Sequence, residues 1–231
     1  VGYAAGTIRQ SQNAVAVGLA SGDTDQGDSA VAIGKQSGQD DQGNSSVAVG
    51  LQAGNNTQGE SSVAIGQGAG AGADPQTLKS LSEGEAEAFD LSDPTLFADP
   101  ANGQGSNAVA IGTSAGISTQ GDLSISVGYY AGQIRQGSSS VAIGVSAAVT
   151  DQGTDSVAVG SASGNVSQGN SSVAVGSGAA QTDQGNRSVS VGPNAGSANQ
   201  GESSVAVGDQ TGQFNQGLSS VAIGAVSYTH L

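Results

Sequence analysis

With 39 Gly, no Cys, no Met, no Trp and only four Tyr and three Phe in 231 residues, the chain lacks the aromatic mass for an ordinary globular core and the thiols for disulfides or zinc fingers. A formal net charge of −14, with five Lys and Arg against nineteen Asp and Glu, argues against nucleic acid or anionic membrane as a partner, because phosphate binding needs a basic stripe. No run of about 18 apolar residues occurs, so no membrane-spanning helix is expected.

The chain starts at Val1-Gly2, already inside a repeat phrase, and reads as a piece of a longer protein, so a missing signal peptide carries no weight. From there the pair Gln-Gly returns at Gln26, Gln42 and Gln58, then at Gln104, Gln120, Gln136, Gln152, Gln168, Gln184, Gln200 and Gln216, every step but one being 16 residues. One supersecondary unit copied at a fixed period is the mark of a solenoid. Gly held in register marks backbone corners, and the period excludes collagen, where Gly recurs every third residue. The expected fold is all-β: a parallel β-roll of about twelve 16-residue coils, each of two short strands and two tight corners.

Residues 1–73 form the first block of coils. In Ser46-Val47-Ala48-Val49-Gly50 a period of two sends Val47 and Val49 to one face and Ala48 to the other. The two β-branched columns are expected to fill the roll interior, as in stacked parallel sheets. The opposite column, with Ala48, Ala64, Ala110, Ala142, Ala158 and Ala174, is expected to form a flat outer stripe that lets another chain approach closely, hence a trimer interface. In the second strand, Ile8, Thr24, Asp40 and Ile134 are expected to face inward, with Arg9, Asp25, Thr57, Arg135 and Asn215 in solvent. The repeated Gln, at Gln26, Gln42, Gln58, Gln120, Gln136, Gln152, Gln168, Gln184, Gln200 and Gln216, reads as a structural amide ladder at a corner, with a ligand-binding row as the other reading.

Asp23, Asp25 and Asp28 around one corner, and Asp40 and Asp41 around the next, are the candidates for calcium between coils. Asn56, Thr57, Thr119 and Ser167 replace the acids elsewhere, so the expectation is no cofactor. Residues 74–103 interrupt the period with Asp74-Pro75, Asp93-Pro94 and Asp99-Pro100 around a short helix expected over 83–91. Phe89, Asp93, Phe97 and Asp99 are its ligand-binding candidates, since insertions in solenoids project on one face. The plainer reading is a solvated excursion pinned by Leu78, Leu81 and Phe89. Coils resume over 104–224. The tail 225–231 leaves the pattern, carries the sole His, His230, and reads as foreign to the repeat. Abundant Ser has no His or Lys at reproducible spacing to activate it, so no enzyme is expected.

Phrases such as Asn44-Ser45-Ser46-Val47-Ala48-Val49-Gly50 and Ser140-Val141-Ala142-Ile143-Gly144 resemble the head-domain repeats of trimeric autotransporter adhesins, a repeat type also found in fibre proteins of phages and large viruses. The resemblance implies a left-handed parallel β-roll, three of which pack as a homotrimer into a rod. That rod would be extracellular, on a cell or virion surface, and would present a binding surface to a host protein or glycan. The family's coil is usually shorter, and the Gln-Gly corner is the departure. Two alternatives stand beside the adhesin reading: a monomeric ice-binding solenoid using the Ala stripe, and a phage or viral fibre shaft without adhesive role. A carbohydrate-active β-helix would need carboxylates clustered on strands, whereas the acids here are read at corners and in the insertion.

Overall fold

A computed structural model describes residues 1–72 and 103–225. The expected insertion, apart from Gly103, lies outside the described residues, with its candidates Phe89, Asp93, Phe97 and Asp99, and so does the tail from 226 onward, with His230. The chain is an all-β parallel solenoid of about eleven turns with 16-residue spacing, and no helix occurs among the described residues. It divides into two compact units, Val1–Leu123 and Ser124–Leu231.

In the first unit the three-residue strands Val15–Val17, Val31–Ile33, Val47–Val49, Val63–Ile65 and Val109–Ile111 pair parallel in that order, Val31 opposite Val47 and Ala32 opposite Ala48. Val63 pairs directly with Val109, so the interruption adds residues without costing a rung. The second strands, Thr24–Gln26 and Asp40–Gln42, pair with Gln26 opposite Gln42. In the second unit seven first strands, from Ile125–Val127 to Val221–Ile223, repeat the pattern. Five second strands, from Ile134–Gln136 to Ala198–Gln200, stack beside them. Each coil is tied to both neighbours by its backbone: Val31 N donates to Ser46 O (2.9 Å) in the next coil, and Gly34 N to Val17 O (2.8 Å) in the preceding one.

The alternation in the first strand is as expected, but its sides are reversed. Ala32, Ala48, Ala64, Ala110, Ala142, Ala158 and Ala174 have no exposed surface, while Val15, Val17, Ile33 and Ile143 are about two-fifths exposed. Size decides this. A Cβ added to Gly54, across the coil, would sit 3.4 Å from the Ala48 Cβ and 2.8 Å from Gln58 Oε1. The interior has room for a methyl group and an amide, and none for a branched side chain, so the small residues go in. The cores are accordingly alanine cores: Ala48, Ala53, Ala64, Ala69, Ala110 and Ala115 in the first unit, and Ala131, Ala142, Ala147, Ala148 and Ala158 in the second.

The second strand also departs from expectation. Ile8 and Phe214 are half-exposed and Val166 is more than a third exposed, whereas the Gln two residues further along is buried at each repeat from Gln26 to Gln216; Gln10, in the end coil, is exposed. The middle residue is left-handed, as at Asp25 (φ 52°), Asp41 (φ 49°) and Arg135 (φ 52°), and this breaks strict alternation and turns the Gln inward. The Gln therefore ends a strand instead of making a corner, and Asp25, Asp40 and Asp41 lie in strands too.

Glycine serves two separate needs. Gly160 adopts φ +130°, and a Cβ there would lie 2.6 Å from Gly176 O. Gly43, after the repeated Gln, has an ordinary φ, but its Cβ would meet Glu60 N and Gly59 C of the next coil at 2.7 Å. The first excludes side chains by conformation and contact, the second by contact alone.

Candidate association face

Positions one and three of every first strand hold Val or Ile, without exception over twenty-four positions. Because stacked strands lie about 4.8 Å apart, these side chains form two touching rows on a flat sheet. In the first unit Val15 (44% exposed), Val17, Ile33, Ile65 and Ile111 lie open to solvent; in the second, Ile125, Ile143, Val191, Val221 and Ile223 (70%) do. Each unit thus presents a continuous apolar stripe with no charge in it. Monomeric proteins rarely leave such a patch uncovered.

The residues expected at the trimer interface, Ala48, Ala64, Ala110, Ala142, Ala158 and Ala174, have no exposed surface and cannot touch another chain. The Val and Ile columns hold the outer position expected of the Ala column. The ice-binding alternative loses its flat Ala face for the same reason.

Inside the coil the repeated Gln spans the lumen. Gln168 Nε2 donates to Val157 O (2.8 Å), the carbonyl at the start of the opposite strand, and its Oε1 accepts from Gln152 Nε2 (3.2 Å) of the preceding coil. Gln26, Gln42, Gln58, Gln104, Gln120, Gln136, Gln152, Gln184, Gln200 and Gln216 make the same cross-coil bond at 2.8 or 2.9 Å. Amide-to-amide steps join Gln42 to Gln58 (3.2 Å), Gln184 to Gln200 (3.1 Å) and Gln200 to Gln216 (3.3 Å). At no more than 3% exposure the row is out of reach of any ligand.

Some amide oxygens in this row, those of Gln26, Gln42, Gln152 and Gln184, accept nothing. Where Ser replaces the inward Ala, the gap closes: Ser126 Oγ donates to Gln136 Oε1 (2.6 Å) and Ser190 Oγ to Gln200 Oε1 (2.7 Å). Both coils have Gly at the facing corner, Gly132 and Gly196, where a Cβ would collide with the hydroxyl; the coils with Ala148 and Ala180 at that corner keep Ala142 and Ala174. Ala32→Ser, facing Gly38, is expected to stabilise by about 1 kcal/mol by satisfying Gln42 Oε1. Ala142→Ser is expected to destabilise and to be rescued by Ala148→Gly. A double-mutant cycle in urea measures the coupling, and additive effects would refute it.

The acidic residues have local partners. Asp25 pairs with Arg9, and Asp28 accepts from Gln12 N (3.1 Å). Asp40 sits in register beside Thr24 with Asp23, Asp25 and Asp41 near; burial first, then those carboxylates, raise its pKa, against a lowering hydrogen bond from Thr24. In the second unit Arg135 holds the Asp151 carboxyl below its ordinary range through a two-point pair. Among the described residues no group of three or more His, Cys, Asp or Glu is placed to hold a metal ion.

The two carboxylates imply opposite pH dependences. A raised folded pKa means that ionised Asp40 costs stability above that pKa and that the cost fades as pH falls through it. Asp40→Asn is expected to raise Tm at pH 7, with the gain shrinking toward pH 4. Asp151→Asn loses a contribution present above the ordinary carboxylate pKa of about 3.9 and already lost at lower pH. Thermal melts of both variants across pH check the signs.

The family comparison falls on the second unit, where residues 136–163 match the YadA head domain repeat in two copies. No curated protein and no solved structure matches the chain. The coils over 136–163, with Ser140-Val141-Ala142-Ile143-Gly144 and Ser156-Val157-Ala158-Val159-Gly160 one turn apart, are similar to the head-domain repeats of the trimeric autotransporter adhesins.

Proposed function

We propose that this chain is a structural and adhesive segment of a homotrimeric surface fibre or adhesin head, in which the Val and Ile face of each copy closes against two others. The observation that carries the reading is the apolar face of each unit, which the described residues leave uncovered and which association with another molecule would bury. Self-association agrees with the repeat type, whose heads are homotrimers on the cell surface. The reading includes no catalytic step and no cofactor. In its support, where Ser precedes a first strand its hydroxyl is spent on the backbone, as when Ser46 Oγ donates to Gly43 O and Ser62 Oγ to Gly59 O (both 2.7 Å).

Sedimentation of the chain across concentration tests this. A species of three times 22.0 kDa supports it, and a folded monomer at every concentration overturns it. Binding of that trimer to cells, matrix protein or glycan supports the adhesive half. A trimer that binds none of them is a shaft, as in a phage or viral fibre.

A further inference from the structure

The chain carries five Asn-X-Ser/Thr triplets, at Asn44, Asn55, Asn165, Asn170 and Asn186, and the fold treats them differently. Asn44, Asn170 and Asn186 occupy one corner position, the residue after Gln-Gly, and are exposed. Each turns its Oδ1 to the coil before it, accepting from Asp28 N (2.9 Å), Thr154 N (2.9 Å) and Asn170 N (2.8 Å) respectively. Their Nδ2 atoms make no hydrogen bond among the described residues. Asn165 is the opposite case: its Nδ2 donates to Ser146 O (2.8 Å). Asn55 is half-buried and lines a small cleft of about 60 Å³ with Gln52 and Gly68.

We infer that Asn44, Asn170 and Asn186 are N-glycan acceptor sites that can be loaded only before their coils close. In the transfer, Nδ2 attacks the anomeric carbon of a sugar activated on a nucleotide or lipid phosphate. The C–O bond to that phosphate breaks, the carrier leaves with the electron pair, and Nδ2 gives one proton to the transferase. The product is still an amide, so Oδ1 keeps its bond to the preceding coil and the sugar stands in solvent. The timing follows from the third residue of the triplet. Ser46, Ser172 and Ser188 are fully buried, each donating to the Gly three residues before it, and the residues between, Ser45, Ser171 and Arg187, are left-handed. A transferase that must read the hydroxyl of an extended triplet finds neither in the closed coil.

The test makes the full chain by cell-free translation with an N-glycosyltransferase that reads Asn-X-Ser/Thr and a nucleotide-activated hexose, present either during synthesis or added after folding. Peptide mass spectrometry then maps the folded fraction. Hexose at Asn44, Asn170 and Asn186 when the enzyme is present during synthesis, at least tenfold less when it is added later, and little at Asn165 is the expected result. No hexose at the three sites during synthesis, equal loading after folding, or loaded chains found solely in the unfolded fraction would each overturn the inference.

Discussion

Replacing Ile143 and Val159 by Lys is expected to convert the assembled protein into a folded monomer. The two residues are register partners on adjacent coils, in the middle of the exposed stripe of the second unit. Covering a Val or Ile fully contributes about 1.5 to 3 kcal/mol, and these begin partly covered, so each supplies roughly 1 kcal/mol per chain on association. The Lys residues do more than remove that. Two ammonium groups from each of three chains would be brought together without partners, at a cost of several kcal/mol per ion. The Lys side chains replace solvent-facing groups, so the coil itself should keep its far-UV signature. Ala142→Glu makes the contrast: this side chain points into the lumen, with no exposed surface, so a single charge buried there should unfold the second unit and leave no folded monomer. Sedimentation and circular dichroism on both variants decide the matter. Retention of wild-type mass by the double Lys variant would mean that the stripe is not the association face.

Gln168→Ala carries the second large expected effect, a loss of about 3 kcal/mol or more in urea unfolding at fixed protein concentration. Truncation leaves Val157 O without its 2.8 Å donor and takes from Gln152 Nε2 its 3.2 Å acceptor. An unpaired buried polar group costs about 1 to 3 kcal/mol, and the void left by the missing amide adds to it. The concentration must be fixed because assembly itself shifts apparent stability. Exposed Asp183→Asn, on the neighbouring coil, keeps a residue type that tolerates the left-handed backbone there (φ 51°); it is the matched control and should change stability by less than about 0.5 kcal/mol. A Gln168→Ala loss no larger than the control's would show that the amide row is decoration, with the backbone ladders alone holding the coil.

The repeat, its 16-residue period, the parallel stacking and the place where the period lapses were all legible in the spacing of Gln-Gly, because a solenoid imposes one structural unit per sequence unit. The alternation of Val47, Ala48 and Val49 was legible for the same reason, since a strand has a period of two whatever surrounds it. The association face was not: periodicity separates two faces without saying which is inside, and the hydrophobic ranking of Val over Ala pointed the wrong way. The signal that could have found it is volume, because a column restricted to Ala and Ser across from a Gly corner describes a lumen one methyl wide. The inward turn of the Gln was hidden similarly, since it depends on a left-handed backbone at Asp25, Thr119 and Arg135, residues with no shared chemistry.

What the sequence determined by itself, then, is the coil: its length, its first strand and the head-repeat phrase. What only the tertiary structure decided is which side of the coil is core and which is surface. That choice is set by the distance between opposite walls, and it emerges only when two strands, two corners and the spanning amide are closed into one ring.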